Sequence, residues 1–248
     1  MLWAVFTLIA AAAQTARNAM QRELTATLGT VGATHVRFLF GFPFALLFLA
    51  GVTIALGESL PRPPAMFWPW VLAGAFTQIA ATATMLSVMG QRSFVVSYAF
   101  IKTEPIHVAL FGLIFLGDKV TALSAAAILT LHLQDFVLAA TFTVSVGLVI
   151  QAGALSLYLW LRDRKVLSDI MRAWRPSLFA GFMGAFASEF WFLGFAITSA
   201  ANVRTLALVE VLFAQGVTHF VFKQPTTARE RAGVVLVVIG VALLVWAY

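Results

Sequence analysis

Long apolar runs, separated by short polar connections, fill almost the whole chain. A helix needs roughly 20 apolar residues to cross a bilayer core of about 30 Å, and runs of that length recur throughout. Turn-forming sequences such as GESLPRPP (57–64) and GQRS (90–93) lie between them. The pattern predicts nine helices, over residues 2–21, 33–56, 66–89, 93–116, 120–134, 137–161, 177–199, 202–222 and 229–247. We therefore expect an all-α polytopic membrane protein embedded in a lipid bilayer.

Composition agrees with this prediction, because 61% of the residues are hydrophobic and only 10% are charged, far from the soluble average. The formal charge of +6 falls mostly in the connections, where basic residues control topology, so no nucleic-acid partner is expected. The absence of cysteine excludes disulfides and thiolate chemistry. The apolar start, MLWAVFTLIAAAAQTA, has no Lys or Arg before it and is interpreted as a retained first helix.

The two halves of the chain resemble each other when shifted by 106 to 107 residues. The shift places PWVLAGAF (from Pro69) over PSLFAGFM (from Pro176), and Glu104 over Glu210. It predicts a first repeat at 1–134 and a second at 135–248. The first helix has no counterpart, because the region near 129–140 lacks roughly 45 residues that another span and its loops would need.

Charge in the connections suggests how the repeats are oriented. The connection after the second helix holds Arg62 alone, whereas its counterpart holds five basic residues: Arg162, Arg164, Lys165, Arg172 and Arg175. Such opposite bias is typical of inverted repeats. Four predicted helices separate the equivalent connections, however, and inversion needs an odd number. Either one helix is missing near 129–140 or the two halves are parallel; we favour ten helices, because the repeat otherwise stops in mid-pattern.

Ionisable residues inside the predicted spans are site candidates by default, since charge is rare at membrane depth. Lys102 and Glu104 lie about 200° apart around a helix, so each needs a different partner. Pro105 weakens the helix beside them and is a candidate hinge. The stretch is either a hydrated site near Tyr98 or a set of structural ion pairs.

Further polar residues lie at equivalent depths in the two halves. Gln78 and Thr82 share a face, and the repeat places Glu189 over Thr82. These three residues are expected to line one cavity, or else to make ordinary interhelical hydrogen bonds. Trp191 lies about 200° from Glu189 and is expected to pack against a neighbouring helix or lipid.

Two arginines are predicted near the membrane surface. Arg37 is expected to snorkel toward a headgroup, and Arg204 is interpreted as interfacial, although with Asn202 and Glu210 it could serve a carboxylate-bearing or zwitterionic ligand. The complete candidate cavity set is Gln14, Gln78, Thr82, Tyr98, Lys102, Glu104, Glu189, Trp191, Asn202 and Glu210, with Pro105 as hinge.

Motifs of intramembrane and soluble enzymes are missing from the sequence, including HExxH, GxSxG, a P-loop and a paired-Asp diphosphate site. The four histidines show no ligand spacing. We expect no enzymatic activity, no metal site and no cofactor. Repeats around a polar site at mid-membrane instead favour a secondary transporter.

Three segments resemble the EamA family of the drug/metabolite transporter superfamily. FIKTEPIHVALFGLIFLGDKVTALSAAAI (100–128) is similar to its fourth and fifth helices, ATHVRFLFGFPFALLF (33–48) to its second, and RTLALVEVLFAQ (204–215) to the corresponding helix of the second half. The resemblance implies ten helices in two inverted repeats of five, around a cavity lined by the first four helices of each. It also implies export of small metabolites across the bacterial inner membrane, with the aromatic amino acid exporters as the nearest branch.

The expected function is therefore export of amino acids by alternating access. Lys102, Glu104, Glu189 and Glu210 would balance ligand or proton charge, while Gln78, Thr82 and Tyr98 would hydrogen-bond or stack. Two alternatives stay open: efflux of cationic or lipophilic compounds, and a non-transporting assembly or sensor subunit whose buried charges are structural. The oligomeric state is left open, a monomer included.

Overall fold

The computed structural model describes residues 2–91, 133–198 and 200–225, with isolated positions between 94 and 97 and between 227 and 239. The residues in these ranges form helices and no strand. In chain order the helices are α1 (Leu2–Leu39), α2 (Phe42–Leu56), α3 (Phe67–Gln91), α4 (Leu133–Arg162), α5 (Arg164–Arg172), α6 (Trp174–Ile197), α7 (Ala200–Leu206) and α8 (Glu210–Phe220). A 3-10 turn, Ala207–Val209, joins α7 to α8.

The all-helical membrane prediction agrees with this part of the chain. Four of its stretches are long and apolar enough to cross a membrane: Leu2–Leu56, Phe67–Gln91, Val137–Arg162 and Trp174–Ile197. Helices α3, α4 and α6 correspond to the predicted helices 66–89, 137–161 and 177–199. All of the predicted helix 93–116 except Phe94 and Ser97 lies outside the described residues, as do nearly all of 120–134 and most of 229–247.

Helix α1 is a hairpin of two helical arms that folds back at Gly29. Gly29 has φ 67° and ψ 173°, a left-handed conformation that glycine adopts without a Cβ penalty. Gln21 Nε2 donates to Ala33 O at 2.8 Å, although twelve residues of straight helix span about 18 Å. The prediction that the first helix ends at residue 21 was therefore wrong, because the helix continues to this glycine.

Helix α4 runs antiparallel to the second arm of α1 and to α2. Ser145 Oγ donates to Ala45 O at 2.9 Å, and Ser156 Oγ lies 3.0 Å from His35 Nε2. Residue numbers thus rise along α4 in the direction in which they fall along α2 and the second arm of α1. Phe38, Ala45, Val144, Leu148, Ala152 and Leu155 fill the apolar contact between them.

Helix α5 corrects the prediction that residues 162–175 form a loop. Asp163 Oδ1 accepts a hydrogen bond from Lys165 N at 3.2 Å, which caps the helix start. Ile170 is fully buried, and Val166 packs against Gly32 beside the α1 hairpin. The amphipathic helix α5 thus covers the end of the bundle where α1 folds back.

The predicted single helix 202–222 was also wrong, because the segment contains an interruption. Helix α7 ends at Leu206, and Ala207–Val209 form the tighter 3-10 turn before α8 starts at Glu210. The Glu210 N–H is shared between the carbonyls of Ala207 and Leu208. Such a mid-segment change of helix type often marks a hinge or a functional position.

The junction between α1 and α2 crosses α6 at very short range. A Cβ added to Gly181 would lie 2.4 Å from Phe40 Cβ and 2.5 Å from Phe40 C. One added to Gly41 would lie 3.2 Å from Gly181 O. Small residues at a membrane helix crossing let backbones approach and gain packing energy where no hydrophobic driving force exists.

The fold places Ser59 and Ser168 at opposite ends of the bundle. Ser59 follows the C-terminal end of α2, far from the turn of the α1 hairpin at Gly29. Ser168 lies on α5, beside that turn, and both serines are exposed. The chain lacks cysteine, so Ser59→Cys and Ser168→Cys variants each carry a single thiol. In sealed vesicles, an impermeant maleimide is expected to label only one of the two. Equal labelling of both from the same side would contradict the fold.

Candidate functional site

A cavity of about 990 Å³, which we call the central cavity, lies between α1, α3 and α7, and much of its α3 wall, including Trp70 and Gln78, is exposed. Its described lining residues are Gln14, Arg17, Arg37, Trp70, Ala73, Gly74, Thr77, Gln78, Ala81, Thr82, Thr84, Met85, Val88, Ser97 and Arg204. This set includes three arginines and no Asp or Glu. A smaller cavity of about 360 Å³ adjoins it and shares Trp70, Gly74 and Gln78.

Arg37 connects three helices in the wall of this cavity. Its Nη1 donates to Thr82 Oγ1 on α3 at 3.2 Å, and its Nη2 to Ser188 Oγ on α6 at 3.4 Å. Both hydroxyls donate their own protons to backbone carbonyls one turn earlier, at 2.8 Å, so toward Arg37 they act as acceptors. The prediction that Arg37 snorkels to a headgroup was wrong: it is 5% exposed and lies about 12 Å along the helix from Gly29.

Arg17 is buried beside Arg37, on the opposite arm of the α1 hairpin. A Cβ on Gly184 of α6 would lie 3.1 Å from Arg37 Cγ and 3.2 Å from Arg17 Cδ. The absence of a side chain at Gly184 therefore gives room to both. Arg17 Nε donates to Asn18 Oδ1 at 2.9 Å, and Arg17 is one of the residues that line the cavity.

Gln14 is the centre of a second buried group, which we call the Gln14 cluster and which includes Trp191 and Glu210. The Gln14 amide Nε2 lies 3.1 and 3.0 Å from the two Glu210 carboxylate oxygens, and its Oε1 accepts from Trp191 Nε1 at 3.0 Å. Glu210 is fully buried at the start of α8, where the helix dipole favours negative charge. The cluster joins α1 to α6 and to the interrupted segment.

Trp191 does not face lipid, one of the two positions predicted for it; it packs inside the bundle and is 6% exposed. Its ring stacks on Phe195 with centroids 6.0 Å apart. The Arg204 guanidinium lies 5.2 Å from the centroid of the Trp191 ring and 5.0 Å from that of Phe195. Arg204, predicted to be interfacial, lines the central cavity instead.

Glu189 is separated from the residues it was predicted to join. Gln78 and Thr82 line the central cavity, but Glu189 hydrogen-bonds Thr141 on α4 and lines a different groove between α2, α4 and α6. Adjacent helical residues point about 100° apart, so Ser188 contacts the cavity wall while Glu189 turns away. The predicted single cavity for Gln78, Thr82 and Glu189 is therefore corrected.

The other predicted site residues have varied positions. Asn202 donates to Thr198 Oγ1 at 3.0 Å at the start of α7, and it is not among the described lining residues of the cavity. Tyr98, Lys102, Glu104 and Pro105 lie outside the described residues. Their predicted roles stay predictions.

Sequence reasoning missed Arg17, Ser188 and Gln151. Gln151 Nε2 donates to Ala75 O at 3.3 Å and to Gln78 Oε1 at 3.4 Å, which joins α4 to the cavity wall. Ser188 and Gln151 are polar residues inside long apolar runs, which is a usable signal, whereas Arg17 lies in the more polar stretch QTARNAMQRE (14–23). Within the described ranges, no group of three His, Asp or Glu residues is placed to hold a metal ion.

The described residues are all-helical and include four stretches long and apolar enough to cross a membrane, with the central cavity between three of the helices. Residues 132–246, which begin at α4, match the model of the EamA-like transporter family. That domain suggests a membrane transporter of small molecules, and members of this family are transporters rather than enzymes. No significant match was found among curated proteins or among solved structures.

Proposed function

We propose that this chain is a secondary transporter that exports small metabolites, above all amino acids, across the bacterial inner membrane by alternating access. The observation that carries the proposal is the central cavity, which both halves of the chain build. Gln14, Arg37 and Thr82 come from the first half and Arg204 from the second. A site between two repeats at mid-membrane is the usual arrangement in secondary transporters.

Helix directions support inverted repeats. The predicted equivalent pairs are α2 with α4 and α3 with α6. Helix α4 runs antiparallel to α2 and parallel to α3, since Phe142 and Gln151 of α4 meet Phe67 and Ala75 of α3. Helix α6 runs antiparallel to the first arm of α1, because Gly194 meets Thr7 and Gly184 meets Arg17. Both pairs thus run in opposite directions, as inversion requires.

The distribution of basic residues supports a cytoplasmic position for the Gly29 end. Helix α5 with its flanks carries five basic residues there, against Arg62 alone in the connection after α2. Positively charged connections stay on the cytoplasmic side. Among the alternatives, efflux of cationic compounds fits poorly, since the described lining has three arginines and no carboxylate.

Purified protein in proteoliposomes tests the proposal by the flux of radiolabelled amino acids, with and without a proton gradient. We expect protein-dependent flux that falls about tenfold in Gln78→Leu, because one hydrogen bond to substrate contributes about 1 kcal/mol or slightly more. Thr53→Val is the matched control, since Thr53 lies on α2 away from the cavity and its hydroxyl, within the described part of the chain, bonds only Leu49 O. Folded protein without flux of any amino acid would refute the proposal.

A further inference from the structure

Two arginines of the α1 hairpin are buried side by side, which places two positive charges in one wall of the central cavity. Arg17 and Arg37 are 2% and 5% exposed, and the aliphatic parts of both side chains pack over Gly184. Like charges repel strongly at low effective dielectric. Buried charges in proteins are ordinarily paired or bind a ligand.

Arg37 in particular has unused binding capacity. Within the described part of the chain it makes no ion pair, and its Nη1 and Nη2 each meet one neutral hydroxyl at 3.2 and 3.4 Å. Its buried Nε meets no acceptor there. A guanidinium has five donors in a planar fork that matches the two oxygens of a carboxylate or phosphate.

The nearby carboxylates of the described helices do not fill this role. Glu210 is held by Gln14 in the Gln14 cluster. Glu189 bonds Thr141 and lines the lateral groove. Arg204 adds a third guanidinium to the same cavity wall, fixed over the rings of Trp191 and Phe195.

From these contacts we infer that the central cavity contains an anion subsite at Arg37, which binds the carboxylate or phosphate group of the transported molecule. Thr82 and Ser188 hold Arg37 in position, Gly184 gives room for both arginine side chains, and Arg204 raises the positive potential of the wall. The inference rests on the proposed transport function and specifies its substrate class: organic anions and molecules with a carboxylate, rather than cations.

Equilibrium binding to the full chain in lipid nanodiscs tests the subsite without depending on flux. Four probes share one phenyl group and differ in charge: 3-phenylpropionate, phenyl phosphate, L-phenylalanine and 2-phenylethylammonium, at constant ionic strength. We expect at least one anion to bind, and the carboxylate and phosphate arms show which group the site prefers. The ammonium probe is expected not to bind.

Variants locate the binding at Arg37. Arg37→Gln is expected to weaken anion binding by about 10- to 100-fold, since charge-assisted hydrogen bonds are lost; Arg37→Lys, which keeps charge and loses the fork, is expected to have a smaller effect. Gly184→Ala crowds both arginine side chains and is expected to weaken binding by displacing Arg37, although the arginine itself is retained. Arg62→Gln, in an exposed connection, is the charge-matched control and is expected to bind normally.

Several results would overturn the inference: no anion binding at millimolar concentration, equal or tighter binding of 2-phenylethylammonium, or anion binding unchanged in both Arg37 variants. If Arg37→Gln does not fold, Arg37→Lys and Gly184→Ala give the result. Arg37-dependent binding without flux would refute transport and leave the subsite standing. Flux that ignores the charge of the probe would refute the subsite and leave transport standing.

Discussion

Replacing Gly181 by alanine is expected to remove most of the folded protein. The new Cβ would lie 2.4 Å from Phe40 Cβ, 2.5 Å from Phe40 C and 2.8 Å from Phe40 O. Two of these three atoms are backbone, so no rotamer change relieves the clash. Overpacking costs about 1–3 kcal/mol where side chains can adjust, and here we expect about 3 kcal/mol or more. Monodisperse protein after detergent extraction, followed by size-exclusion chromatography, measures the loss.

Gly194→Ala on the same helix is the control for this experiment. A Cβ at Gly194 would have Thr7 Oγ1 as its nearest neighbour, at 3.6 Å, which is ordinary contact. Both substitutions improve intrinsic helix propensity by about 1 kcal/mol, so propensity cannot explain a difference between them. If Gly181→Ala were extracted as well as Gly194→Ala, the close crossing of α6 with the α1–α2 junction would be wrong.

Gln14→Leu is expected to have the second largest effect, because Gln14 makes three hydrogen bonds in the Gln14 cluster. Leucine has a similar size but leaves the buried indole N–H without this acceptor and removes a donor from the Glu210 carboxylate. An unsatisfied buried group costs about 1–3 kcal/mol, and more if charged. We expect a loss near 3 kcal/mol, which lowers the melting temperature by roughly 6–12 °C.

A double-mutant cycle of Gln14→Leu with Trp191→Phe measures the coupling free energy between the two residues. It distinguishes a loss of their hydrogen bond from a general effect of changing a buried side chain. Phenylalanine keeps the ring stack on Phe195 and loses only the N–H donor, so the combined variant should cost less than the sum of the two by about 0.5 kcal/mol or more. Gln91→Leu, at the exposed end of α3, is the matched control and should change stability by less than about 0.5 kcal/mol. Full additivity would argue against the cluster.

The apolar runs predicted helices α3, α4 and α6 to within a few residues, because membrane thickness alone sets their minimum length. Four polar residues that the sequence proposed for a cavity also lie inside the bundle or along its cavity: Gln14, Gln78 and Thr82 line the central cavity, and Glu210 is fully buried. Single-residue polarity in an apolar span is a strong signal, since the bilayer offers no partner and the protein has to provide one.

The arginines were harder to predict, and the reason is the hairpin. With the first helix assumed to end at residue 21, Arg17 would lie about one turn from its end and Arg37 about one turn into the next helix, where snorkelling is cheap. Since α1 continues to Gly29 before it turns, both residues lie about 12 to 18 Å from the fold. Because α1 extends about two turns beyond the predicted end, Arg17 and Arg37 are buried and do not lie near the membrane surface.

The internal repeat predicted the level of a residue along its helix, but not the helix face on which that residue lies. It placed Glu189 at the level of Thr82, and Arg37 indeed bonds both Thr82 and Ser188, the residue next to Glu189. An alignment error of a single residue turns a helical position by about 100°, which is enough to move Glu189 from the central cavity to the lateral groove. Weak internal similarity therefore cannot specify which helix face a residue occupies.

The pairing of α1 with α6 has a consequence for biosynthesis. Among the described helices α1 packs most extensively against α6, yet α6 begins only at Trp174, long after α1 ends at Leu39. At about 5–20 residues per second, a ribosome needs on the order of ten seconds to reach it. Arg17 and Arg37 therefore leave the ribosome well before Gly184, which later accommodates them, and during that delay the hairpin depends on the insertion machinery and on its own Gln21–Ala33 hydrogen bond.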